Sequence, residues 1–283
     1  MTDKYTDPTG APETTEERPV KPANVIHDML RTYAERGTSV ANIMATGAMF
    51  GFNDNRMRVG LSRLVAKQTI ENFSRGFYRL SKTADPFNRF IERWRLGESR
   101  IVPWNHRWLL VHRSRDAAPT THAKSEWVLA NHGFRETIKD CWIRPDNIAL
   151  GLDELEHQLH HLGLEHEAML ASAAKLEPRW QHRWLNQVAP EQLIKRYQTM
   201  SRRLSQSLAK LPNLTRAAAM KSSFQLGGEC IEMLATDPLL PTEMLDIEPR
   251  VSLTQLMLDY DRIGRGIWLG AQIAQDSDQG LTI

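Results

Sequence analysis

Residues 53–63 read NDNRMRVGLSR, which places three arginines and two asparagines in one short stretch of a 283-residue chain whose formal net charge is only +2. The pattern predicts a helix. Asn53 suits its N-cap because the side-chain oxygen can accept a free backbone N–H, and Asp54 suits the positive end of the helix dipole. At about 100° per residue, one face collects the apolar side chains of Met57, Leu61, Leu64 and Val65.

The opposite face of this predicted helix is polar and cationic. It is centred on Asn55, Val59, Ser62 and Ala66, with Arg56, Arg58 and Arg63 beside them. Arginine can donate two hydrogen bonds to guanine, asparagine can pair with adenine, and valine can contact the thymine methyl group. The face therefore suits a DNA-recognition helix, and a solvated arginine-rich surface is the alternative.

The flanking segments favour DNA recognition. Two helical patterns precede the stretch, and two β-type runs at 69–73 and 77–80 follow it, joined by Ser74-Arg75-Gly76. A glycine in such a short connection is typical of a β-hairpin. Three helices followed by a hairpin predict a winged helix-turn-helix over residues 23–82.

Charge is concentrated in this region. Residues 53–80 hold six basic and two acidic side chains, a net charge of +4, so the remainder of the chain carries −2. Neutralising DNA phosphates requires such a surface and makes binding salt-dependent. We predict base contacts from Asn55, Arg56, Arg58, Val59 and Ser62, and phosphate contacts from Arg63, Arg75 and the helix N-terminus at Asn53.

The rest of the chain divides by composition. Residues 1–22 contain four prolines, five acids and three bases with little to bury, which predicts a disordered arm. Residues 83–104 carry Phe87, Phe90, Ile91 and Trp94 at helical spacing, which predicts a linker helix that docks on another domain or a second subunit. Alternating strand and helix patterns over 105–178, with TIKDCWIRP as one strand, predict a ferredoxin-like domain, and residues 179–275 are helical. The predicted fold class is α+β.

Several functions are disfavoured. The chain has no stretch of 18 apolar residues and no signal-peptide pattern at its start, so a cytoplasmic protein without a membrane partner is expected. Cys141 and Cys230 are far apart in sequence and are expected to be buried thiols. The chain lacks a P-loop, a GxGxxG motif and a GxSxG motif, so we expect no cofactor and no enzymatic activity.

A histidine-rich segment keeps an enzymatic alternative open. His157 and His161 are four residues apart on a predicted helix, with Glu154 before them and His166 after them. Such a pair can hold zinc if a third ligand converges. Gln158 occupies the position where metalloproteases of the HExxH type have glutamate. A metal-dependent hydrolase with a winged-helix targeting module is therefore the alternative function, and a polar helix face is the simpler interpretation.

Taken together, the stretches FGFNDNRMRVGLSRLV, FYRLS, WLLVH, NHGF, CWIRPDN and ECIEMLATDPLLPTEML resemble, in order and spacing, the PaaX family of phenylacetic-acid catabolism repressors over residues 23–270. The resemblance implies a winged-helix repressor with a ferredoxin-like central domain and a helical C-terminal domain. It also implies a homodimer that binds a palindromic DNA operator. Release would be caused by an aryl acyl-CoA thioester such as phenylacetyl-CoA.

The sequence departs from the family pattern at three places. The hairpin connection is short and carries one basic residue, Asp246-Ile247-Glu248-Pro249 replaces the family's Trp-Pro-Gly turn, and AKSEWVLANHGF is nearly uncharged. Effector-binding residues are therefore left unassigned. An acyl-CoA would need cations beside an apolar pocket. Arg144 with Trp142, and Arg179 or Arg183 with Trp180 and Trp184, have that composition, and interface packing with solvated arginines is the alternative.

Overall fold

In the computed structural model, which describes residues 20–81, 85–114 and 118–276, the N-terminal part (residues 20–81, hereafter the head) contains three helices and a small sheet. Its elements are α1 (Pro22–Tyr33), β1 (Thr38–Ser39), α2 (Val40–Met49), α3 (Asp54–Ala66), β2 (Ile70–Ser74) and β3 (Phe77–Leu80). The strands are antiparallel in the order β1-β3-β2. The predicted arm over 1–22 falls largely outside the described residues, but α1 already begins at Pro22, so the boundary was placed slightly too late.

The head has its own apolar core. Met57, Leu61 and Leu64 of α3 pack against α1 and α2, as the helical projection predicts. Val65 does not join them, because it is 39% exposed, and that assignment was wrong. Gly60 is buried instead: a Cβ there would come within 3.2 Å of Pro22, so the glycine lets α1 and α3 approach closely.

The middle of the chain forms a second antiparallel sheet. Its elements are α4 (Asp85–Glu92), a 3-10 segment (Arg93–Arg100), β4 (Trp108–His112), α5 (Pro119–Asn131), β5 (Arg135–Ile138), β6 (Cys141–Pro145), α6 (Leu152–Leu162) and β7 (Met169–Ala173). The strand order is β5-β6-β4-β7. The sequence TIKDCWIRP was predicted as one strand, but it contributes to two, because the chain reverses at Asp140 with a φ of +63°. The fold is therefore α+β.

Four helices, here called the helical body, complete the described chain. They are α7 (Pro178–Val188), α8 (Pro190–Lys210), α9 (Arg216–Ala235) and α10 (Glu248–Asp276). Residues 237–241 between α9 and α10 are not helical, as the two prolines in DPLLP predict. The segment is not extended throughout, because Leu239 has a φ of +53°. Across the described ranges, no helix is both long enough and apolar enough to cross a membrane.

The helical body and the second sheet share one core, so they do not pack as separate domains. Adjacent residues of β4 point to opposite faces of the sheet. Trp108 packs in the cluster that includes Trp184 of α7, whereas Leu109 packs in the cluster formed by α5 and α6. The linker helix docks within the same chain: Trp94 lies in the first cluster and Phe90 in the second. The side chain of Phe87 lies outside the described residues.

The two cysteines differ in burial. Cys230 is buried in the helical body, whereas Cys141 is only half-buried on β6, so the expectation of two buried thiols holds for one of them. Burial raises the pKa of the Cys230 thiol to about 12. At neutral pH this thiol is therefore protonated and packs as a small apolar side chain.

Candidate nucleic-acid interface

The candidate interface is built on α3, whose first turn is capped by its own sequence. The side chain of Asn53 accepts the backbone N–H of Arg56 at 2.9 Å, and Asn53 itself has an extended backbone. Asp54 opens the helix at the positive end of its dipole. The cap predicted for Asn53 is therefore confirmed. Its side-chain oxygen is engaged within the helix, so an anion at this end would meet backbone N–H groups.

The predicted contact residues all lie on the surface of the head. The eight exposed side chains are Asn53, Asn55, Arg56, Arg58, Val59, Ser62, Arg63 and Arg75. Val59 is 43% exposed, so its side chain is open to an apolar contact. Seven of the eight belong to α3 and its cap, so one helix presents almost the whole predicted set.

The arginines of this surface carry charges that the head does not neutralise. Within the described part of the chain, none of Arg56, Arg58, Arg63 and Arg75 forms an ion pair. Arg56 lies over the ring of Phe52, with its guanidinium carbon 5.7 Å from the ring centroid. Arg79 differs, because its Nε donates to Glu71 at 2.6 Å. Four unpaired guanidinium groups therefore remain available to an anionic partner.

The hairpin that carries Arg75 is short and lies close to α2. Gly76, in the turn between β2 and β3, has a φ of +74°, a conformation that glycine adopts without strain. Its carbonyl accepts the backbone N–H of Val40, the first residue of α2, at 2.8 Å. Arg75 is therefore held beside the start of α2, apart from the other seven residues.

An exposed aromatic pair on the hairpin was missed from the sequence. Phe73 and Phe77 are 39% and 45% exposed, and their ring centroids are 6.4 Å apart. Arg79 lies over Phe73 at 4.8 Å. Because successive side chains of a strand point to opposite faces, Phe73 and Phe77 lie on the same face of the hairpin as Glu71 and Arg79. This alternation is the sequence pattern from which the aromatic pair could have been predicted. From the sequence, both phenylalanines are predicted only as residues of β-strands.

The residues considered for an effector site separate in the structure. Arg144 is buried and bonds to carbonyl oxygens, so it is neither solvated nor open to a ligand phosphate. Trp184 is also buried, with its ring 5.5 Å from that of Trp108. Arg179 is exposed and pairs with Glu177 at 2.7 Å. These residues therefore do not form one site.

The histidines of α6 lie on its surface. His157 and His161 are exposed, with their rings stacked at 5.7 Å, while His160 stacks on His166 at 5.6 Å. Over the described ranges, no group of three or more potential ligands is close enough to hold a metal ion. Gln158, which replaces the catalytic glutamate of the metalloprotease pattern, instead accepts a hydrogen bond from Arg93 at 2.9 Å.

Comparison with known proteins informs the fold only. No family model matches the chain, and no curated protein matches it. A solved structure that resembles it is the uncharacterized protein Rv0674 from Mycobacterium tuberculosis. The two chains are 19% identical, the similarity covers 89% of this chain and 99% of that chain, and the TM-score is 0.61. The architecture described above therefore occurs in a second protein along nearly its whole length.

Proposed function

We propose that this protein is a sequence-specific DNA-binding transcriptional regulator, a repressor of the PaaX type rather than an enzyme. The head is its winged helix-turn-helix, and α3 is the recognition helix that enters the major groove. The regulated pathway is the catabolism of an aromatic compound. An aryl acyl-CoA thioester, such as phenylacetyl-CoA, releases the protein from its operator.

One observation carries the proposal: α3 buries one face and presents the other, with unpaired cations, to solvent. Met57, Leu61 and Leu64 hold the helix to the head, while Asn55 and Arg58 on the outer face are free. Acidic residues three or four positions from these arginines would offset their charge within the helix. The described part of α3 holds one acid, Asp54, at the end where its charge favours the helix dipole.

The arrangement around α3 supports a winged helix. The order α1, β1, α2, α3, β2, β3 places the helices before the hairpin, and β1 pairs with β3 through Thr38 and Tyr78. The wing is short, because only Arg75 and Gly76 connect β2 to β3, and its turn is bonded to Val40. We therefore expect it to contact the DNA backbone through Arg75 and to contribute little to the minor groove.

The second sheet supports a ferredoxin-like central module. Its connectivity is β-α-β-β-α-β, and β4 lies between β6 and β7. In this proposal the module and the helical body hold two heads at the spacing of a palindromic operator. Half-sites must follow the two-fold axis of the protein, so a homodimer is the expected DNA-binding species.

A groove beside the head supports control by a small molecule. It has a volume of about 670 Å³ and lies between α1, the linker and helices α8, α9 and α10. Phe224, Tyr260 and Trp268 provide aromatic lining. Arg31 and Glu92 also line the groove as an ion pair, with Nε and Oε1 3.5 Å apart. Pockets of this size and mixed lining are typical of ligand sites. A ligand here would contact both the head and the helical body.

The DNA-binding proposal is tested by selecting duplexes from a random pool and measuring affinity for the selected sequence. A palindrome is expected. Arg58→Ala should weaken binding by about 1–3 kcal/mol and relax base preference, because it removes a base contact. Arg202→Ala is the matched control, since Arg202 is exposed on α8. Unchanged affinity and preference for Arg58→Ala would remove Arg58 from the face that reads the bases.

The ligand proposal is tested by thermal unfolding with phenylacetyl-CoA. A ligand that binds the folded state raises the melting temperature by mass action. Gly228→Trp should abolish the rise, because Gly228 lines the groove and a Cβ there meets no atom within 4 Å. Gly266→Trp is the control, because a Cβ at this exposed glycine also meets no atom within 4 Å and the residue does not line the groove. Equal responses of both variants would place the effector elsewhere.

A further inference from the structure

A small cavity, lined mostly by buried residues, lies between the second sheet and residues 237–241, hereafter the DPLLP segment, which follow α9. Its volume is about 30 Å³, and the charged side chains that line it are Arg93, Arg100, Arg144 and Asp237. His132 also lines it and is neutral, because burial lowers its pKa to about 4. Three guanidinium groups face one carboxylate, so the lining has a net charge of +2.

One N–H donor of Arg100 has no acceptor among the residues that the structure describes. The residue is 4% exposed, its Nε donates to the Gly97 carbonyl at 3.0 Å, and its Nη1 donates to the Leu234 carbonyl at 2.9 Å. Its Nη2 is buried and has no hydrogen-bond partner in the described part of the chain. A buried N–H of a charged group that stays unbonded costs more than a neutral one, so an acceptor at this position would stabilise the fold.

Among the described residues, the direct hydrogen-bond partners of Arg144 include no carboxylate. Arg144 is 2% exposed and donates to the carbonyls of His132, Pro145 and Pro238 and to the amide oxygen of Asn147. All four acceptors are neutral. The pKa of Arg144 is lowered to about 9, mainly by burial; repulsion from Arg135 and Arg93 contributes to this lowering, and the carboxylates of Asp146 and Asp237 oppose it. A buried cation of this kind is stabilised by a nearby negative charge.

The carboxylates near the cavity are committed elsewhere. Asp237 accepts the Tyr197 hydroxyl at 2.5 Å and the Leu239 backbone N–H at 2.7 Å. It also lies 3.6 Å from Arg250, which forms a bidentate pair with Glu98 at 2.8 and 2.7 Å. Arg250 is therefore neutralised by direct contact, whereas Arg100 and Arg144 are not.

We propose that this cavity binds a single small inorganic anion of the size of chloride. The anion accepts a hydrogen bond from Nη2 of Arg100 and offsets the positive charges of Arg100 and Arg144. A cavity needs at least about 10–15 Å³ to hold one water, so this one has room for a single ion and excludes an organic ligand. The anion would strengthen the attachment of the DPLLP segment, whose Pro238 and Leu239 carbonyls already accept hydrogen bonds from Arg144 and Asn147.

Thermal unfolding in sodium chloride and in sodium gluconate, at equal ionic strength, tests this site independently of DNA binding. The melting temperature of the wild-type protein should rise with the logarithm of chloride concentration as chloride replaces gluconate. Arg100→Met has a similar length and no charge, and it should lose this dependence. Arg202→Met, at an exposed position, should retain it. No chloride response in the wild type, or a full response in Arg100→Met, would overturn the proposal.

A second measurement needs no variant and decides the case if Arg100→Met does not fold. Bromide occupies chloride sites and scatters X-rays anomalously. Wild-type crystals grown in bromide should give an anomalous peak in the cavity beside Arg100 and Arg144. Bromide crystals without a peak there would overturn the proposal.

Discussion

The guanidinium of Arg95 forms a bidentate pair with the carboxylate of Asp261, with Nη1 and Nη2 at 2.8 and 3.0 Å from its oxygens. Arg95 follows the linker helix and Asp261 lies in α10, so the pair connects residues 166 positions apart. Arg95 also bonds to Glu92 at 2.6 Å, and Glu92 faces Arg31 of the head. The ion pairs therefore run from α1 through the linker to α10.

Arg95→Met should destabilise the protein by about 1–3 kcal/mol, because it leaves Asp261 partly buried without its main partner. The free energy of unfolding in urea measures this. Arg262→Met is the matched control on the same helix: Arg262 pairs with Asp259 but is 77% exposed, so its loss should cost about 0–1 kcal/mol. If the two substitutions lower the free energy of unfolding equally, the partly buried Arg95–Asp261 pair stabilises the protein no more than the exposed Arg262–Asp259 pair.

Asn53→Ala should lower the stability of the head by about 0.5–2 kcal/mol, because it removes the cap of α3. Asn55→Ala should change stability by no more than about 0.5 kcal/mol, because this exposed side chain supports no other element. Urea unfolding and DNA binding together separate the two roles. We expect Asn53→Ala to affect mainly stability and Asn55→Ala to affect mainly base preference. The reverse pattern would contradict both assignments.

Arg63→Ala should weaken DNA binding similarly for all sequences and reduce the dependence on salt. Each lost phosphate contact lowers the slope of log affinity against log salt by about 0.9. Titrations at several salt concentrations, on the selected operator and on an unrelated duplex, measure this slope. If Arg63→Ala instead alters base preference at an unchanged slope, Arg63 contacts bases and not phosphate.

His132 should make the protein less stable in mild acid. Its Nδ1–H donates to the Val128 carbonyl at 2.7 Å, and burial lowers its pKa from 6.5 to about 4. Below pH 6.5 the unfolded chain binds a proton that the folded chain does not, so stability is lost as the pH falls towards 4. The loss between pH 7 and 5 should be about 2 kcal/mol.

His132→Asn should remove most of this dependence on pH, because the amide can replace the Nδ1 donor and does not titrate. The free energy of unfolding at several pH values measures the slope. His157→Asn serves as the control, because His157 is exposed on α6. A slope that is unchanged in His132→Asn would assign the loss of stability to other groups.

Trp268→Ala should loosen the head from the helical body. The ring of Trp268 is 5.7 Å from that of Phe50 at the end of α2 and 6.2 Å from that of Phe224 in α9. Removing a buried tryptophan costs about 3–5 kcal/mol. Limited proteolysis should then cleave between the head and the body, whereas Leu269→Ala, at a 40% exposed neighbour, should leave the cleavage rate unchanged. If Trp268→Ala resists proteolysis as well as the wild-type protein does, Trp268 does not hold the head to the helical body.

Local features of the head could be predicted because each depends on residues close in sequence. The cap at Asn53, the buried face of α3 and the turn at Gly76 follow from hydrogen bonds and side-chain directions within a few residues. The helical projection wrongly placed Val65 on the buried face, because a projection gives the direction of a side chain but not where the neighbouring helices end. The hairpin in TIKDCWIRP was missed because its reversal depends on Asp140 adopting a positive φ.

Sequence by itself thus determined the α+β class, the order of three helices and a hairpin in the head, and the amphipathic, cationic α3, since these are set by periodicity and short-range bonding. Tertiary structure alone decided the shared core of Trp108 and Trp184, the groove beside the head and the cavity around Arg100 and Arg144. These depend on contacts between residues far apart in the chain. A composition that pairs arginine with tryptophan does not reveal whether the arginine meets solvent, as Arg179 does, or is sealed among carbonyls, as Arg144 is.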